Sequence, residues 1–552
     1  MFIEQETDVL VMGGGVAGLS AAIEAANYGL RVWLMDRGNV GRSGSSFTAG
    51  GVFAAPFGHE ELDGTGIVDS PDQFYQDTLA GGGRLNHRIL IRKMAKEAIQ
   101  CVEALEGMGV RFNRTREGRM IQVRMLGHSR ARSCESIGGG RAVVEVLRGE
   151  ALRRDVRFIE RTAMVAILAE DGSVTGALAF PVQRGTPMVV CAPALVVAAG
   201  GATGLFSARS ASFPTTSVGP MAALDAGASL ANLEFIEFSL VPAPGGKPLA
   251  AGGINPFLGR GGRLFNALGE RIMERVDPER LELADRSLLV ETVAREYRAG
   301  RGPVVVDPAY ITRYELCRWE SMKPHFFTRL RNAGVDPTKD RMPWVVAIHS
   351  SLGGIVAGEQ GATGVHGLYA AGESITGFHG CNRLGSNALT ACVVMGTEAG
   401  RNAALSAMKR SPVALRKGAK EAAERFVSRR HGGNLPAREY LRRVRETADL
   451  HLNVPRNKEG LVRARAVFAD LATAPPPLDG PEGAVPAVEC AVLARLGCLT
   501  AEAALMRTES RGQHVREDCP HQDPSLERWF VAVRKGEEVQ WSDIPVPGIE
   551  HT

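Results

Sequence analysis

One arginine stands in a glycine-rich segment late in the chain, residues 379–389, and is the first candidate for chemistry. The segment places Arg383 among small and polar residues, and it closely follows residues 367–373, which end on Glu373. Glycines of this density are typical of backbone that turns sharply or approaches a ligand closely. The guanidinium is a rigid, planar fork of donors that matches a carboxylate. These residues therefore indicate a ligand site that combines a cation with an acid.

A second glycine cluster, near the N-terminus, has the spacing of a dinucleotide-binding turn. Residues 8–12 form a short apolar run of the buried parallel-strand type, and residues 19–26 are predicted to form a helix. Between them, Gly13 permits a tight turn, Gly15 lets backbone N–H groups reach a pyrophosphate, and Gly18 allows close contact between helix and strand. The helix N-terminus adds a partial positive charge that favours phosphates.

The residues after this turn distinguish between NAD and FAD, which share the same fingerprint. A second predicted strand, residues 31–35, ends at Asp36, whose carboxylate can accept hydrogen bonds from a ribose diol. A small, polar loop with several glycines follows at residues 41–51. Simple nicotinamide enzymes do not need such a loop, whereas an FAD molecule lying extended across the fold must be held along its ribityl chain and ring. We therefore expect FAD.

With these segments in place, the chain resembles the flavoprotein family that contains the flavoprotein subunits of succinate dehydrogenase and fumarate reductase together with L-aspartate oxidase. The similarity runs over most of the length. Besides the opening turn, it is carried by residues 69–71, 77–83, 127–129, 198–201, 352–355 and 509–512. The resemblance implies an α/β fold, in which a doubly wound, Rossmann-like FAD-binding domain has an inserted α+β capping domain and a C-terminal helical domain.

The length of the chain calls for more than one domain. A chain of 552 residues exceeds what one core usually organises, so two or three domains are expected. We predict the FAD-binding domain in two parts, residues 1–233 and 346–409, separated by the capping and substrate domain at residues 234–345. A helical domain at residues 410–510 and an extended C-terminal tail at residues 511–552 complete the predicted order.

The resemblance also implies which residues hold the flavin and what the flavin does. Hydride is exchanged between flavin N5 and a carbon near a substrate carboxylate, while a proton moves at the neighbouring carbon. Glu373 matches the family's flavin-contacting glutamate, and the helix that begins near Ala388 and Leu389 could stabilise negative charge at N1 and O2 of the ring. The predicted cofactor-binding residues are Gly13, Gly15, Val16, Ala17, Gly18, Asp36, Arg37, Ser43, Gly44, Ser45, Gly50, Gly51, Ala199, Gly200, Glu373, Ser386, Asn387, Ala388 and Leu389.

Two residues match substrate-binding positions of the family. Arg383 falls at the arginine that binds the substrate carboxylate, and His349, directly before the segment 350–354, falls at a substrate-binding histidine. Each has a plainer alternative. An arginine at this position can pair with a nearby structural acid, and a lone histidine is more often a satisfied core or surface residue.

Several positions depart from the family's pattern. Gly44 stands where succinate dehydrogenases carry a histidine bonded covalently to the flavin, so the FAD is expected to be non-covalent. Ser239 stands at a substrate-contacting histidine, and Met125 at the glutamate that reads the amino group in aspartate oxidases. Met125, Leu126 and Leu240 predict a pocket more apolar than a dicarboxylate site. Succinate and aspartate are therefore poor candidates for the substrate.

The proton-transferring residue is a further departure. The family keeps an arginine on a helix of the capping domain, and an ungapped count places Glu291 there, while Arg286 aligns with a different family arginine. Burial beside a flavin could raise the pKa of Glu291 toward neutrality and make it an acid or base. A surface glutamate is the competing interpretation, and Arg286, Arg295 and Arg298 are the substitutes if the helix is shifted. The predicted catalytic residues are Arg383, His349, Glu291 and Arg286.

Composition and charge argue against other classes of function. A net charge of +4 is small for this length and gives no case for nucleic acid. Nine cysteines occur without any C-x-x-C pair, which argues against a metal or iron–sulfur cluster held by this chain and fits a reduced, cytoplasmic setting. The sequence shows neither an uninterrupted apolar run of about 18 residues that could span a membrane nor a secretory signal in its acidic N-terminus.

The leading hypothesis is an FAD-dependent oxidoreductase that acts on a carbon–carbon or carbon–nitrogen bond of an organic acid or a related compound. An alternative is the flavoprotein subunit of a multi-subunit reductase, similar to adenylylsulfate reductase, that passes electrons to an iron–sulfur or ferredoxin-like partner. A third hypothesis, suggested by Glu291 and Ser239, is an FAD-binding component that has lost catalysis. The retention of Arg383 and His349 argues against it.

Overall fold

The computed structural model describes most of the chain. The described residues are 2–58, 68–125, 127–183, 185–211, 213–250, 255–322, 324–410, 417–428, 433–478 and 483–548. Leu126, which the sequence predicts in the pocket wall, lies outside them.

The described residues contain the following strands and α-helices. The strands, in chain order, are β1 (Ile3–Glu6), β2 (Val9–Met12), β3 (Val32–Met35), β4 (Val52–Ala54), β5 (Gln122–Val123), β6 (Ser133–Glu135), β7 (Arg157–Ile159), β8 (Thr162–Glu170), β9 (Ser173–Pro181), β10 (Met188–Cys191), β11 (Ala194–Val197), β12 (Ser229–Ala231), β13 (Ile236–Pro242), β14 (Arg263–Phe265), β15 (Val304–Asp307), β16 (Met342–Ser351), β17 (Gly354–Ile355), β18 (Leu368–Ala370), β19 (Arg528–Lys535) and β20 (Glu538–Pro545). The helices are α1 (Val16–Ala26), α2 (Gly44–Thr48), α3 (Pro71–Gly81), α4 (Arg88–Met108), α5 (Gly139–Arg153), α6 (Val218–Asp225), α7 (Asn255–Leu258), α8 (Ile272–Val276), α9 (Arg286–Arg298), α10 (Arg313–Met322), α11 (Pro324–Asn332), α12 (Asn387–Met408), α13 (Lys417–Ser428), α14 (Ala437–His451), α15 (Lys458–Thr473) and α16 (Ala484–Met506).

A five-stranded parallel sheet forms the centre of the first region. Its strand order is β18-β11-β2-β3-β7, and each neighbouring pair is parallel. Strands β2, β3 and β11 are buried along their whole length, as expected where helices cover both faces of a sheet. The chain winds outward from β2 first through β3 and later through β11 on the other side. The carboxyl end of β2 is therefore the topological switch point, where open α/β sheets bind their ligands.

Helices α1 and α12 lie side by side and join the two distant glycine-rich segments. Their close contact depends on small residues, because a side chain at Gly396 or Gly400 would collide with the carbonyl oxygen of Ala17 or Ala21. A Cβ added at Gly372 would lie only 2.7 Å from the Cβ of Ala17. The late segment with its arginine is thereby placed next to the N-terminal turn.

The inserted region contains an antiparallel sheet and short helices, as the sequence predicts. Its strand order is β13-β16-β15-β14, and the packed rings of Phe257, Trp319 and Trp344 form part of its core. Strand β16 belongs to this sheet and runs through residue 351. The predicted division between residues 345 and 346 therefore falls inside a continuous strand, because the residues just before the next glycine segment pair with β13.

The C-terminal region combines helices α13 to α16 with a hairpin. Strands β19 and β20 pair with each other, and β19 pairs with β12 in a sheet of order β17-β12-β19-β20. The indole N–H of Trp529 donates to the carbonyl of Leu85 at 2.8 Å. The sequence predicts an extended tail over residues 511–552, whereas the structure forms this hairpin, because β12 offers it an unpaired edge.

Helix α16 is the one described helix that is long and apolar enough to cross a membrane by length and composition. Glu489, Arg495 and Glu502 interrupt it, which is why the sequence shows no unbroken apolar run. In its most apolar window, 72% of the residues are buried inside the protein. Its apolar surface is therefore that of a core helix covered by neighbouring elements.

Candidate active site

The N-terminal glycine turn has the geometry that its spacing predicts. Gly13 has a left-handed backbone (φ 105°), and a side chain there would collide with the backbone that follows β11. A side chain at Gly18 would collide with the Gly13 carbonyl. Gly15 is the N-cap of α1, and the N–H of Val16 donates to the Ser46 hydroxyl at 3.1 Å. The second predicted loop thus lies beside the start of α1.

Asp36, at the end of β3, connects this turn to the second loop. Its carboxylate accepts hydrogen bonds from the N–H groups of Gly14 and Gly38, both at 2.6 Å, and from the Ser43 hydroxyl at 3.0 Å. Each carboxylate oxygen has more than one lone pair, so these contacts leave room for a ribose hydroxyl. The ribose role of Asp36 stays a prediction.

A cavity of about 260 Å³ opens at this end of the sheet. Its lining includes the predicted cofactor residues Gly13, Asp36, Arg37, Ser43, Gly44 and Ala199. Helix α16 also lines the cavity, through Val485, Val488 and Glu489, and Glu489 accepts a hydrogen bond from Arg37 at 2.9 Å. Sequence reasoning missed this contribution, because Arg37 and Glu489 are 452 positions apart and no local pattern links them.

The flavin end of the predicted path also fits a bound ring system. The Ser45 hydroxyl and the side-chain amide oxygen (Oδ1) of Asn387 are buried with no hydrogen-bond partner among the described residues. A Cβ added at Gly44 would meet no atom within 4 Å. Ser386, the N-cap of α12, has a left-handed backbone (φ 64°) and does not cap the helix with its side chain. Two helix N-termini and two orphaned polar atoms therefore lie along the path predicted for FAD.

The remaining predicted cofactor residues lie on the same elements. Ala17 stands in the first turn of α1, and Ala388 and Leu389 stand in the first turn of α12. Gly51 and Gly200 both have left-handed backbones (φ 71° and 79°). The nearest atom to a Cβ added at Gly50 is Val52 Cγ2 at 3.5 Å. The N–H of Val16 donates to the Ser46 hydroxyl, and Ala199 lines the cavity.

Glu373 has an unusual carboxyl group. It follows β18, and its Oε1 accepts a hydrogen bond from the N–H of Ser351 at 2.9 Å. Burial raises its pKa to about 7, with Glu237 acting in the same direction and the Ser351 bond and Arg383 acting against it. Near neutral pH the group therefore takes both protonation states.

The centre of the site is a carboxylate that sequence reasoning missed, Glu237 in β13. Arg383 binds it through two hydrogen bonds, from Nε to Oε2 at 2.7 Å and from NH2 to Oε1 at 3.0 Å. Arg286 donates to Oε1 through NH1, and the hydroxyl of Ser350 donates to Oε2 at 2.7 Å. Glu237 is fully buried. A charged residue inside the apolar run of β13 was the available signal for it.

The charge state of Glu237 follows from these partners. Burial alone would raise its pKa, but the charges around it, chiefly that of Arg383 with Arg286 beside it, hold the pKa well below its usual range. Arg383 therefore pairs with a buried acid of the protein, which is the plainer alternative that the sequence left open for it. Arg383, Arg286 and Glu237 together form one charged unit.

A bulge in the capping sheet brings His349 to this unit. Glu237 pairs with Ser350 and Phe238 pairs with Ile348, so that His349 is the extra residue between them. Its Nδ1 lies 2.8 Å from the Ser210 hydroxyl. Burial lowers its pKa to about 4; Arg383 and Arg286 lower it further, and Glu237 opposes them. His349 is thus neutral at neutral pH. Bulges commonly aim a side chain into a site in this way.

Another histidine of the late glycine segment, His379, was not singled out from the sequence. Its Nδ1 is buried without a hydrogen-bond partner among the described residues. Burial lowers its pKa to about 3, with Arg383 acting in the same direction and Glu237 against it. It is therefore a neutral imidazole with an open nitrogen near the charged unit.

The two capping-domain candidates for proton transfer are placed differently. Arg286 is the first residue of α9 and contacts Glu237 directly. Burial lowers the pKa of its guanidinium, although Glu237 opposes this. Glu291, one and a half turns further along α9, accepts a hydrogen bond from Arg295 at 2.8 Å, and Arg295 also reaches Glu517. Among the described residues, Glu291 makes no hydrogen bond or ion pair with Glu237, Arg383 or Arg286.

Of the residues predicted at this end of the pocket, Met125 and Ser239 lie near the site, whereas Leu240 does not. Met125 lies against the late segment, because a Cβ added at Gly385 would be 3.0 Å from the Cβ of Met125. Ser239 pairs with Ala347 and lies two residues from Glu237 in β13, so both side chains lie on one face of the sheet. Leu240 belongs to the opposite face and packs in the capping core. It does not line the pocket, because side chains alternate along a strand.

The described residues contain no group of three or more His, Cys, Asp or Glu side chains that could hold a metal ion.

Comparison with known proteins shows matches over the whole chain. Residues 8–389 match a family model described as an FAD binding domain, and residues 442–542 match the C-terminal region of the fumarate reductase flavoprotein. A fumarate reductase (CoM/CoB) subunit of Methanothermobacter marburgensis is 31% identical over 96% of this chain and 98% of its own length. L-Aspartate oxidase of Agrobacterium fabrum is 32% identical over 96% and 94%, respectively.

Solved structures share the same fold. Mycobacterium smegmatis Sdh1, solved in complex with UQ1, has a TM-score of 0.86 at 28% identity and covers 99% of this chain and 95% of its own. Adenylylsulfate reductase of Archaeoglobus fulgidus has a TM-score of 0.77 at 20% identity, covering 99% and 96%. The second likeness, at this identity, concerns the fold alone. The predicted fold class is confirmed.

Proposed function

Since the chain belongs to the FAD-dependent oxidoreductase family that includes fumarate reductase and succinate dehydrogenase flavoproteins and L-aspartate oxidase, we propose that it exchanges hydride with a small organic acid other than succinate or aspartate. The family, the FAD cofactor and the oxidoreductase class expected from the sequence are confirmed by these matches. The substrate class and the roles of individual residues are part of the proposal.

The N-terminal turn and the second loop are proposed to hold FAD without a covalent bond. When bound, FAD supplies a hydride acceptor or donor at N5. The backbone around Gly13 and Gly15 would hold the pyrophosphate at the start of α1, and the start of α12 would lie under the ring. Gly44 offers no side chain that could bond to the flavin, and the space around it is open.

Arg383 is the proposed anchor of the substrate carboxylate. The observation that carries this proposal is the convergence of Arg383 and Arg286 on the buried Glu237 beside the neutral His349. Glu237 fixes the orientation of the Arg383 guanidinium through two of its three nitrogens, and the third nitrogen, NH1, makes only a long contact of 3.4 Å to the Leu384 carbonyl. A positioned donor of this kind costs little reorganisation when the substrate binds.

Arg286 is the better placed of the two candidates for moving a proton at the substrate. Its Nε is buried with no hydrogen-bond partner among the described residues, so that one N–H of its guanidinium is left for the substrate. Glu291 is instead paired with Arg295. We therefore assign the proton transfer to Arg286 rather than to Glu291.

The far end of the site argues against succinate and aspartate. Met125 offers no carboxylate for an amino group, and Ser239 offers a short hydroxyl where the family has a histidine. A substrate with a less polar end than a dicarboxylate or an amino dicarboxylate suits these side chains.

A second proposal concerns the route of electrons. The chain has no C-x-x-C pair that could hold a cluster, and several relatives are named as subunits. Electrons can therefore leave through an iron–sulfur partner of the kind that the sequence suggests, or directly to a quinone or oxygen. The rate at which the reduced protein is reoxidised in air tests these routes. Fast reoxidation favours a stand-alone oxidase, and slow reoxidation favours a partner.

The test is an anaerobic screen of organic acids, amino acids and steroids for bleaching of the flavin absorbance. We expect at least one organic acid to exchange electrons with the flavin, and Arg383→Gln to abolish this exchange while FAD stays bound. Arg442→Gln, which removes an exposed arginine of α14 paired with Glu439, is the matched control. Exchange with a compound that has no carboxylate, at equal rate in Arg383→Gln, would contradict the proposal.

A further inference from the structure

Glu237 places a carboxylate of the protein inside the proposed carboxylate site. It is 0% exposed, and its two oxygens accept hydrogen bonds from Arg383, Arg286 and Ser350. A buried charge of this kind needs close partners of opposite sign. Here the partners include the arginine that the sequence assigns to the substrate.

The charges at the centre of the site can be counted from these contacts. Arg383 and Arg286 each carry one positive charge, and Glu237 carries one negative charge. His349 and His379 add none at neutral pH, since their pKa values are lowered to about 4 and about 3. Arg383, Arg286 and Glu237 together therefore have one net positive charge, and the neighbouring Glu373, whose pKa is raised to about 7, offsets part of it near neutral pH.

We propose that Glu237 is a built-in counter-ion that takes the place of one substrate carboxylate, so that the site selects acids with a single carboxylate over dicarboxylates. The inference rests on the proposed function, in which Arg383 binds a substrate carboxylate. It goes further by naming the charge of the substrate and the residue that sets it.

The donors left open by Glu237 match one carboxylate. Arg383 uses Nε and NH2 on Glu237, so its NH1 stays available apart from the long contact to Leu384. The Nε of Arg286 has no partner among the described residues. A second carboxylate on the substrate would meet the negative charge of Glu237, or the uncharged side chains of Met125 and Ser239.

The neighbouring segment does not contribute Arg132 as an extra cation. This arginine is fully buried and already binds two carboxylates, those of Asp69 and Asp77, both at 2.8 Å. Its charge is therefore more than balanced within its own cluster. Arg132 therefore does not add to the net charge of the Glu237 unit.

The experiment compares two acids that differ in one group. Crotonate has a methyl group where fumarate has its second carboxylate. Each is titrated into the oxidised FAD holoprotein, and binding is followed by the flavin difference absorbance. We expect the wild-type Kd for crotonate to be at least tenfold lower than that for fumarate, and Glu237→Gln to shift this ratio at least tenfold toward fumarate.

Two further variants isolate the charge. Glu237→Asp keeps the carboxylate and should keep the preference for crotonate. Glu296→Gln removes another buried carboxylate held by two arginines, Arg275 and Arg301, ten residues further along α9 than Arg286. It should leave the ratio unchanged, because at 1.5 Å rise per residue it is about 15 Å away along the helix.

The outcomes separate this inference from the proposed function. Wild-type protein that binds fumarate as tightly as crotonate, or Glu237→Gln protein with bound FAD and an unchanged ratio, overturns the inference alone. The wild-type comparison still decides if Glu237→Gln does not retain FAD. If neither acid perturbs the flavin and Arg383→Gln behaves as wild type in the screen, the proposed function fails and this inference fails with it.

Discussion

Replacing Arg383 by glutamine is expected to destabilise the folded protein through Glu237. Arg383 is 8% exposed and Glu237 is 0% exposed at the side chain, and the two make bonds of 2.7 and 3.0 Å. Removing one partner of a buried ion pair costs about 3–5 kcal/mol, because the other charge stays buried. Arg286 and Ser350 stay on Glu237 in this variant, so we expect the low end of that range, about 3 kcal/mol.

The double variant Arg383→Gln/Glu237→Gln tests the cause of this loss. Two amides can hydrogen bond to each other, and of the three charges only that of Arg286 then stays at this point. The double variant should therefore be more stable than the sum of the two single losses predicts. We expect a coupling free energy of at least about 2 kcal/mol. If the two single losses add, the ion pair does not stabilise the fold as the structure indicates.

The assay is urea denaturation at one fixed, saturating FAD concentration, since bound FAD itself adds to the free energy of unfolding. Circular dichroism and flavin fluorescence should give coincident transitions before a two-state analysis is used. Arg442→Gln, on the exposed face of α14, is the control and should change the free energy of unfolding by less than about 0.5 kcal/mol.

Three further predictions concern the attachment of the cofactor, the pKa of Glu373 and the residue that transfers the proton to the substrate. Acid precipitation should release the FAD into solution because Gly44 has no side chain to bond it, and flavin that stays on the pellet would contradict this. The pKa of Glu373 is raised from 4.5 to about 7, so its stabilising contribution is full below about pH 4.5 and is lost as the pH rises through 7. Glu373→Gln should therefore flatten the dependence of the free energy of unfolding on pH in this window, and an equally steep profile in the variant refutes the assignment. In the turnover assay, Arg286→Gln should lose about hundredfold in rate with FAD retained, whereas Glu291→Gln should lose less than about threefold; the reverse order would restore Glu291 as the acid.

Much of the nucleotide end was predictable, because its rules are local. The spacing of Gly13 and Gly18 reflects collisions that any side chain would make with nearby backbone. Asp36 at the end of β3 and the loop that begins at Gly41 follow directly in sequence. This part of the fold was therefore predictable from short-range steric contacts and strand patterns.

The substrate end was predicted only in part, because its contacts join distant segments. Arg383 was singled out by its glycine-rich surroundings, but its partner Glu237 lies 146 positions earlier in a buried strand. The predicted domain boundary between residues 345 and 346 falls inside β16, because the pairing of this strand with β13 continues to Ser351. The ungapped count put Glu291 at the proton-transferring position and Arg286 at that of a different family arginine, because a count along one helix carries no information on which of its residues meets a distant strand. The structure places Arg286, at the start of α9, against Glu237.

The central claim is that Arg383, held by Glu237, binds the substrate carboxylate beside the flavin. The most direct measurement is the Kd of the acid identified by the screen, from the flavin difference absorbance of anaerobic wild-type and Arg383→Gln holoprotein. We expect saturable binding in the wild type and at least a hundredfold weaker binding in the variant, with the FAD content unchanged. This corresponds to a loss of about 2.7 kcal/mol in the free energy of binding. Equal affinity of the two proteins would contradict it.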